Sequence, residues 1–133
     1  MQFLLPWQKP DLDRWAGRPI HPLAPRDLVP SPFHDRLEVT LAMESPGEPE
    51  TDGPFARLEQ SVLAYRIFGS EIGLPVVGRT PVQVGDTIGL VYRFLGVLRL
   101  FFASRVAEVF VRQPVEGGWR SGFVYQTLEG HPE

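Results

Sequence analysis

The chain has 133 residues, is 43% hydrophobic and carries a formal charge of −3. That apolar content suits one domain with one core, and a mildly acidic chain has no long-range attraction for phosphate, which argues against nucleic acid as a partner. Cysteine is absent, so disulfides, thiolate zinc sites and cysteine nucleophiles are excluded together, and a reducing compartment fits.

The opening stretch, "MQFLLPWQKPDLDRW", lacks the basic leader of a signal peptide, and its apolar run breaks at Pro6. No stretch approaches the ~18 apolar residues of a membrane span. The expectation is therefore a cytoplasmic protein with no membrane span. Ten of the fourteen prolines lie between Met1 and Pro54. Because proline fixes φ and has no N–H, "HPLAPRDLVPSPF" is neither a helix nor a central strand. Residues 1–35 read as a proline-rich arm lying on the body of the protein, with Trp7 and Trp15 as the side chains able to pin it in apolar grooves. Residues 36–133 read as a single α+β domain.

In "RLEVTLAM", Leu37, Val39, Leu41 and Met43 alternate with Arg36, Glu38, Thr40 and Ala42, the period of a strand with one buried face. The polar loop "ESPGEPETDGP" follows. Pro54 suits a first helical position, and Phe55, Leu58, Val62 and Tyr65 fall on one helical face, with Gly69 as the stop. The next segment, to Asp86, is irregular or short-stranded. From Thr87 the period returns to two: Ile88, Leu90, Tyr92 and Phe94 face one way. "LRLFFASRVAEVFVRQ" reads as one long strand with a bulge or as two short ones, its phase slipping near Ala103. "VEGGW" is a hairpin turn, and the last strand presents Trp119, Phe123 and Tyr125 on one face. The predicted architecture is a curved antiparallel sheet packed on a helix.

Few residues point to chemistry. His21, His34 and His131 lack metal-ligand spacing, and no metal or cofactor is called for. Ser104 and Ser121 stand in no nucleophile elbow, and no phosphate-cradling glycine loop is present. For general acid–base work the candidates are His131, flanked by Glu129 and Glu133, and Tyr125. The alternative for that cluster is a solvated terminus. Arg66, Arg93 and Arg105 lie among apolar neighbours. Each either meets an anion or covers apolar surface with its stem.

The closing stretch, "GFVYQTLEGHPE", resembles the motif G-F-A-Y-G-T-L-P-G-H-P-E of the uncharacterised DUF1990 domain family. "YRIF" from Tyr65, "VQVGDT" from Val82, Leu95-Gly96 and "SRVAEVF" from Ser104 agree in order, while Gln126 and Glu129 depart from the family's Gly and Pro. The resemblance covers about the last half of the chain. It implies a helix-grip fold, a curved sheet around an apolar cavity, here lacking the C-terminal strands and helix that family members carry. It also implies a shared local structure at Tyr125, Thr127, Gly130, His131, Pro132 and Glu133. The family has no established catalytic residues to carry over.

Two functional expectations result. The first is a non-enzymatic module holding a small apolar or amphipathic ligand between sheet and helix. Tyr92, Phe102 and Tyr125 would supply contact area, Thr127 and His131 would also bind the ligand, and Arg66 or Arg105 would orient an anionic head group. The second is a hydrolase or isomerase acting through His131, Glu133 and Tyr125. A third reading, an interaction protein using the arm, stands beside them. A sheet short of its covering elements would be covered by the arm or paired with a second chain in a homodimer.

Overall fold

The computed structural model describes residues 1–21, 37–94 and 98–130. Among these, five strands form one antiparallel sheet: β1 (Gln2–Leu4), β2 (Gly73–Val77), β3 (Thr87–Phe94), β4 (Leu98–Val115) and β5 (Gly118–Thr127). Two helices accompany it, α1 (Asp13–Ala16) and α2 (Pro54–Leu63). The architecture is the expected α+β arrangement, with the sheet curled into a half-barrel.

β4 is the axis of the sheet. One edge pairs with β3 from Leu98 to Arg105, and β2 lies beyond β3. The other edge is shared: β1 pairs with Arg99 to Phe101, and β5 pairs from Ser104 to Val115. Pro75 sits in β2, an outer strand, where a missing N–H is tolerated. The predicted long strand is real, and it carries two register shifts rather than one. One extra β4 residue lies between Val106 and Glu108, and another shift lies between Phe110 and Gln113, where Arg112 adopts φ 46°. Each shift bends the strand and tightens its twist. The slip expected near Ala103 lies a few residues further on.

The two faces are buried by different parts of the chain. Leu4, Trp15, Val91, Phe101, Ala103 and Leu128 form the core on one face. Trp15 is fully buried, meeting the Phe101 ring edge-on at 5.9 Å, with the Arg18 guanidinium over its ring at 4.1 Å. Gly89 makes room for this: a Cβ there would run into the Phe101 ring. Trp7, the other proposed pin, is 76% exposed. The arm is therefore anchored by one tryptophan and by two arginines of β4. Arg99 donates to the carbonyls of Leu5, Pro6 and Gln8 at 3.4, 2.9 and 3.1 Å. Arg105 donates to the carbonyls of Ala16 at 2.5 Å and Arg18 at 3.5 Å. A guanidinium carries several donors, so a single arginine side chain can hold several carbonyls of an irregular segment at once. The chain then meets β5, with the His21 N–H donating to the Thr127 carbonyl at 2.9 Å and an Ile20–Leu128 bridge. The described part of the arm is thus woven into the sheet.

On the other face Tyr65, Val82, Ile88 and Val106 are buried, with Phe68, Val77, Val109 and Phe123 packed around them. α2 covers part of this face. It ends before the predicted Gly69. The Tyr65 N–H reaches the Val62 carbonyl at 2.9 Å and the Arg66 N–H reaches that of Ser61 at 2.8 Å, with Tyr65 left-handed at φ 59°. That is a Schellman ending with tyrosine where glycine is usual. The left-handed turn costs about 1–2 kcal/mol. It is offset because it delivers the Tyr65 ring edge-on to Phe68 at 5.4 Å and to Phe123 at 5.9 Å. No helix among the described residues is long and apolar enough to cross a membrane.

The strand predicted at 36–43 is not formed over its described residues, 37–43. Residues 37–43 run without regular structure, and Leu37, Val39, Leu41 and Met43 are 86%, 66%, 70% and 88% exposed. Period two specifies a chain able to pair and bury one face, but it does not supply a surface to receive that face.

Candidate functional site

Among the described residues lies an open-sided cleft of about 710 Å³. Its walls come from residues 39–42, 44–47 and 49, the start of α2 and the turn joining β4 to β5. Phe55 and Leu58 of α2 and Trp119 of β5 form its apolar floor, with Val39 and Leu41 along one side. Leu58 is 46% exposed although it lies on the apolar face of the helix, because the cleft stands where packing would otherwise cover it.

Three interactions hold this geometry. The N-cap of α2 is Gly53, which has no side chain to cap with. Glu44 supplies the missing acceptor from across the loop. Its Oε1 accepts from the Phe55 N–H at 2.5 Å and its Oε2 from the Glu50 N–H at 3.2 Å. This satisfies one of the orphan donors of a helix N-terminus and sets a negative charge at the positive end of the helix. Gly53 must be glycine for the carboxylate to come so close, since a Cβ would meet it. The Trp119 indole N–H donates to the Gly47 carbonyl at 3.0 Å, tying the loop to the hairpin. Between them, Glu59 joins α2 to the second bulge of β4. Its carboxylate accepts from the Ser121 hydroxyl and from Arg112 Nε, the latter at 3.3 Å, while the Arg112 N–H donates to Ser121 Oγ at 2.7 Å.

The sequence-predicted residues fall in several places. The pairings Tyr92–Leu100, Leu90–Phe102, Val106–Tyr125 and Ser104–Thr127 put Tyr92, Phe102, Tyr125 and Thr127 on the α2 face of the sheet. Tyr125 lies 6.0 Å from Phe123, ring to ring, and is 44% exposed. Burial, and then the neighbouring Tyr125, push the Tyr65 phenol well above its ordinary range. Arg66 is exposed beyond the C-terminal end of α2, away from the cleft at its N-terminal end. Arg105 points to the arm face, where it holds backbone carbonyls, and its Nε is buried without a partner among the described residues. Glu129 is exposed, and its backbone carbonyl accepts from Arg18 at 3.1 Å. His131 and Glu133 lie outside the described residues, as do His34 and Leu95-Gly96. Sequence reasoning does not single out the cleft. Periodicity assigns Phe55 and Leu58 to a helix face and Trp119 to a strand face, and Glu44 falls in a polar loop. The available signal is a helix start with no capping side chain of its own, which requires an acceptor from elsewhere.

The chain belongs to the family described as "Domain of unknown function (DUF1990)", whose pattern matches residues 24–133. No curated protein and no solved structure matches it.

Proposed function

We propose that this chain is a binding module for a small apolar or amphipathic molecule, and that the cleft over Phe55, Leu58 and Trp119 is where the molecule lies. The supporting observation is the cleft itself. At about 710 Å³, with aromatic and aliphatic walls, it falls in the ~300–1,000 Å³ range of small-molecule sites. Its polar side chains are acceptor-rich: the Glu44 carboxylate and the hydroxyls of Thr40 and Ser45. A ligand with a hydrogen-bond donor at its polar end fits that lining better than an anion, and neither Arg66 nor Arg105 reaches it. The aromatic sheet face carrying Tyr92, Phe102 and Tyr125 is a second apolar surface beside the same helix.

The test is titration of the full chain with N-phenylnaphthylamine, an apolar fluorophore bearing one N–H. Saturable fluorescence enhancement with energy transfer from Trp119, lost in both Trp119→Phe and Leu58→Arg, supports the reading. Leu58 is half-exposed, so the arginine enters the cleft without disturbing a core. Undiminished binding to Leu58→Arg, or no saturable binding at all, refutes it.

A further inference from the structure

Residues 37–43 offer an apolar surface that extends beyond the cleft they partly line. Four large apolar side chains, Leu37, Val39, Leu41 and Met43, stand on alternate residues and are each at least 66% exposed. Scattered single apolar residues on a surface are ordinary, but an alternating run of four is not. We propose that this segment pairs with the same segment of a second copy of the chain, as an antiparallel two-stranded ribbon centred on Thr40.

The sequence is self-complementary about that residue. With Thr40 opposite Thr40 of the second copy, Leu37 falls opposite Met43 and Val39 opposite Leu41. All the apolar side chains then share one face of the ribbon. Glu38 falls opposite Ala42, so the only charged side chain in the segment meets no like charge, and the central threonines form a favourable cross-strand pair. A shift of one residue along one strand would set Glu38 opposite a large apolar residue and split the apolar set between two faces. The contact is isologous, the commonest form of a two-fold interface.

A bare two-stranded ribbon is marginal in water. This one has a bed. Residues 39–42 already line the cleft, so the ribbon would lie along the cleft that holds Phe55, Leu58 and Trp119 in each copy. The four exposed side chains present on the order of 500 Å² per chain, against about 800 Å² per partner in a standard interface, and the rims of the two clefts supply the remainder. The ribbon would close the open side of each cleft.

The chain has no cysteine, which makes the register directly testable. In the ribbon, the two residues at position 40 have Cα atoms about 4.5–5.5 Å apart, within disulfide range. The two residues at position 38 are roughly 14 Å apart. Thr40→Cys is therefore expected to cross-link on mild oxidation into a species of twice the 15.0 kDa chain mass, and Glu38→Cys to cross-link at least about tenfold more slowly. Light scattering of the unmodified chain should give a dimer at micromolar concentration. The double variant Leu37→Glu/Met43→Glu, which alters neither a core residue nor a cleft residue, should be monomeric with an unchanged far-UV circular dichroism spectrum, and its melting temperature should no longer depend on protein concentration. A monomer for the unmodified chain overturns the proposal. So does a dimer that persists in the double variant, or one in which the Glu38→Cys variant cross-links as fast as the Thr40→Cys variant.

Discussion

Replacing Glu44 with alanine tests how the cleft is held. The carboxylate makes two contacts, with the half-buried Phe55 N–H at 2.5 Å and with the exposed Glu50 N–H at 3.2 Å. The exposed donor returns to water at little cost, whereas the Phe55 donor lies in the first turn of α2, where loss of a cap costs about 0.5–2 kcal/mol. The negative charge at the helix N-terminus adds about 0.3–1 kcal/mol. The expected loss is roughly 1–2 kcal/mol, which for a chain of this size lowers the melting temperature by about 4–8 °C. The loop also forms a wall of the cleft, so N-phenylnaphthylamine affinity should fall by about tenfold, equivalent to about 1.4 kcal/mol. Glu44→Gln keeps an acceptor oxygen and loses the charge. It should recover about half of the stability, and the remaining gap should shrink in high salt. Calorimetry and the fluorescence titration read the two effects separately. If Glu44→Ala melts within about a degree of the parent and binds the probe equally well, then neither the cap nor the wall depends on this carboxylate.

Other substitutions probe the rest of the framework. Trp15→Ala removes a fully buried ring that joins the arm to Phe101, and should cost about 3–5 kcal/mol in urea unfolding while exposing the arm up to Arg18 to proteolysis. Gly89→Ala places a methyl group against the Phe101 ring and should destabilise by about 1–3 kcal/mol; an unchanged urea midpoint would show that the ring can move aside. Tyr65 has a phenol pKa raised in the folded state, so it binds its proton more tightly when folded than when unfolded. Its contribution is fully present below the ordinary tyrosine value of 10.0 and is lost as pH rises from there toward the folded value. Urea unfolding between neutral and strongly alkaline pH should therefore show a different alkaline slope in the parent and in Tyr65→Phe, and equal slopes would contradict the burial argument.

The elements set by local patterns are legible in the sequence. Pro54 and the helical spacing of Phe55, Leu58 and Val62 place α2. Period-two alternation places β3 and β5 and marks the β4 segment as one long strand with a bulge or two short ones, and "VEGGW" places the hairpin turn. These signals depend on neighbours a few residues apart, and so survive without a tertiary context. Tertiary context decides the rest. The same alternation that builds β4 leaves residues 37–43 without a strand, because pairing needs a free edge as well as a suitable sequence. Packing places Tyr65 in a left-handed turn against its own preference, since its ring is needed beside Phe68 and Phe123. Arg105, which sequence alone allows to face a ligand, lies on the arm side because one position along β4 decides the face and the arm's carbonyls sit there to be met. Glu44 caps a helix whose donating N–H belongs to Phe55, 11 positions further along the chain. No periodicity encodes that contact, because only the folded loop brings the carboxylate to that helix start.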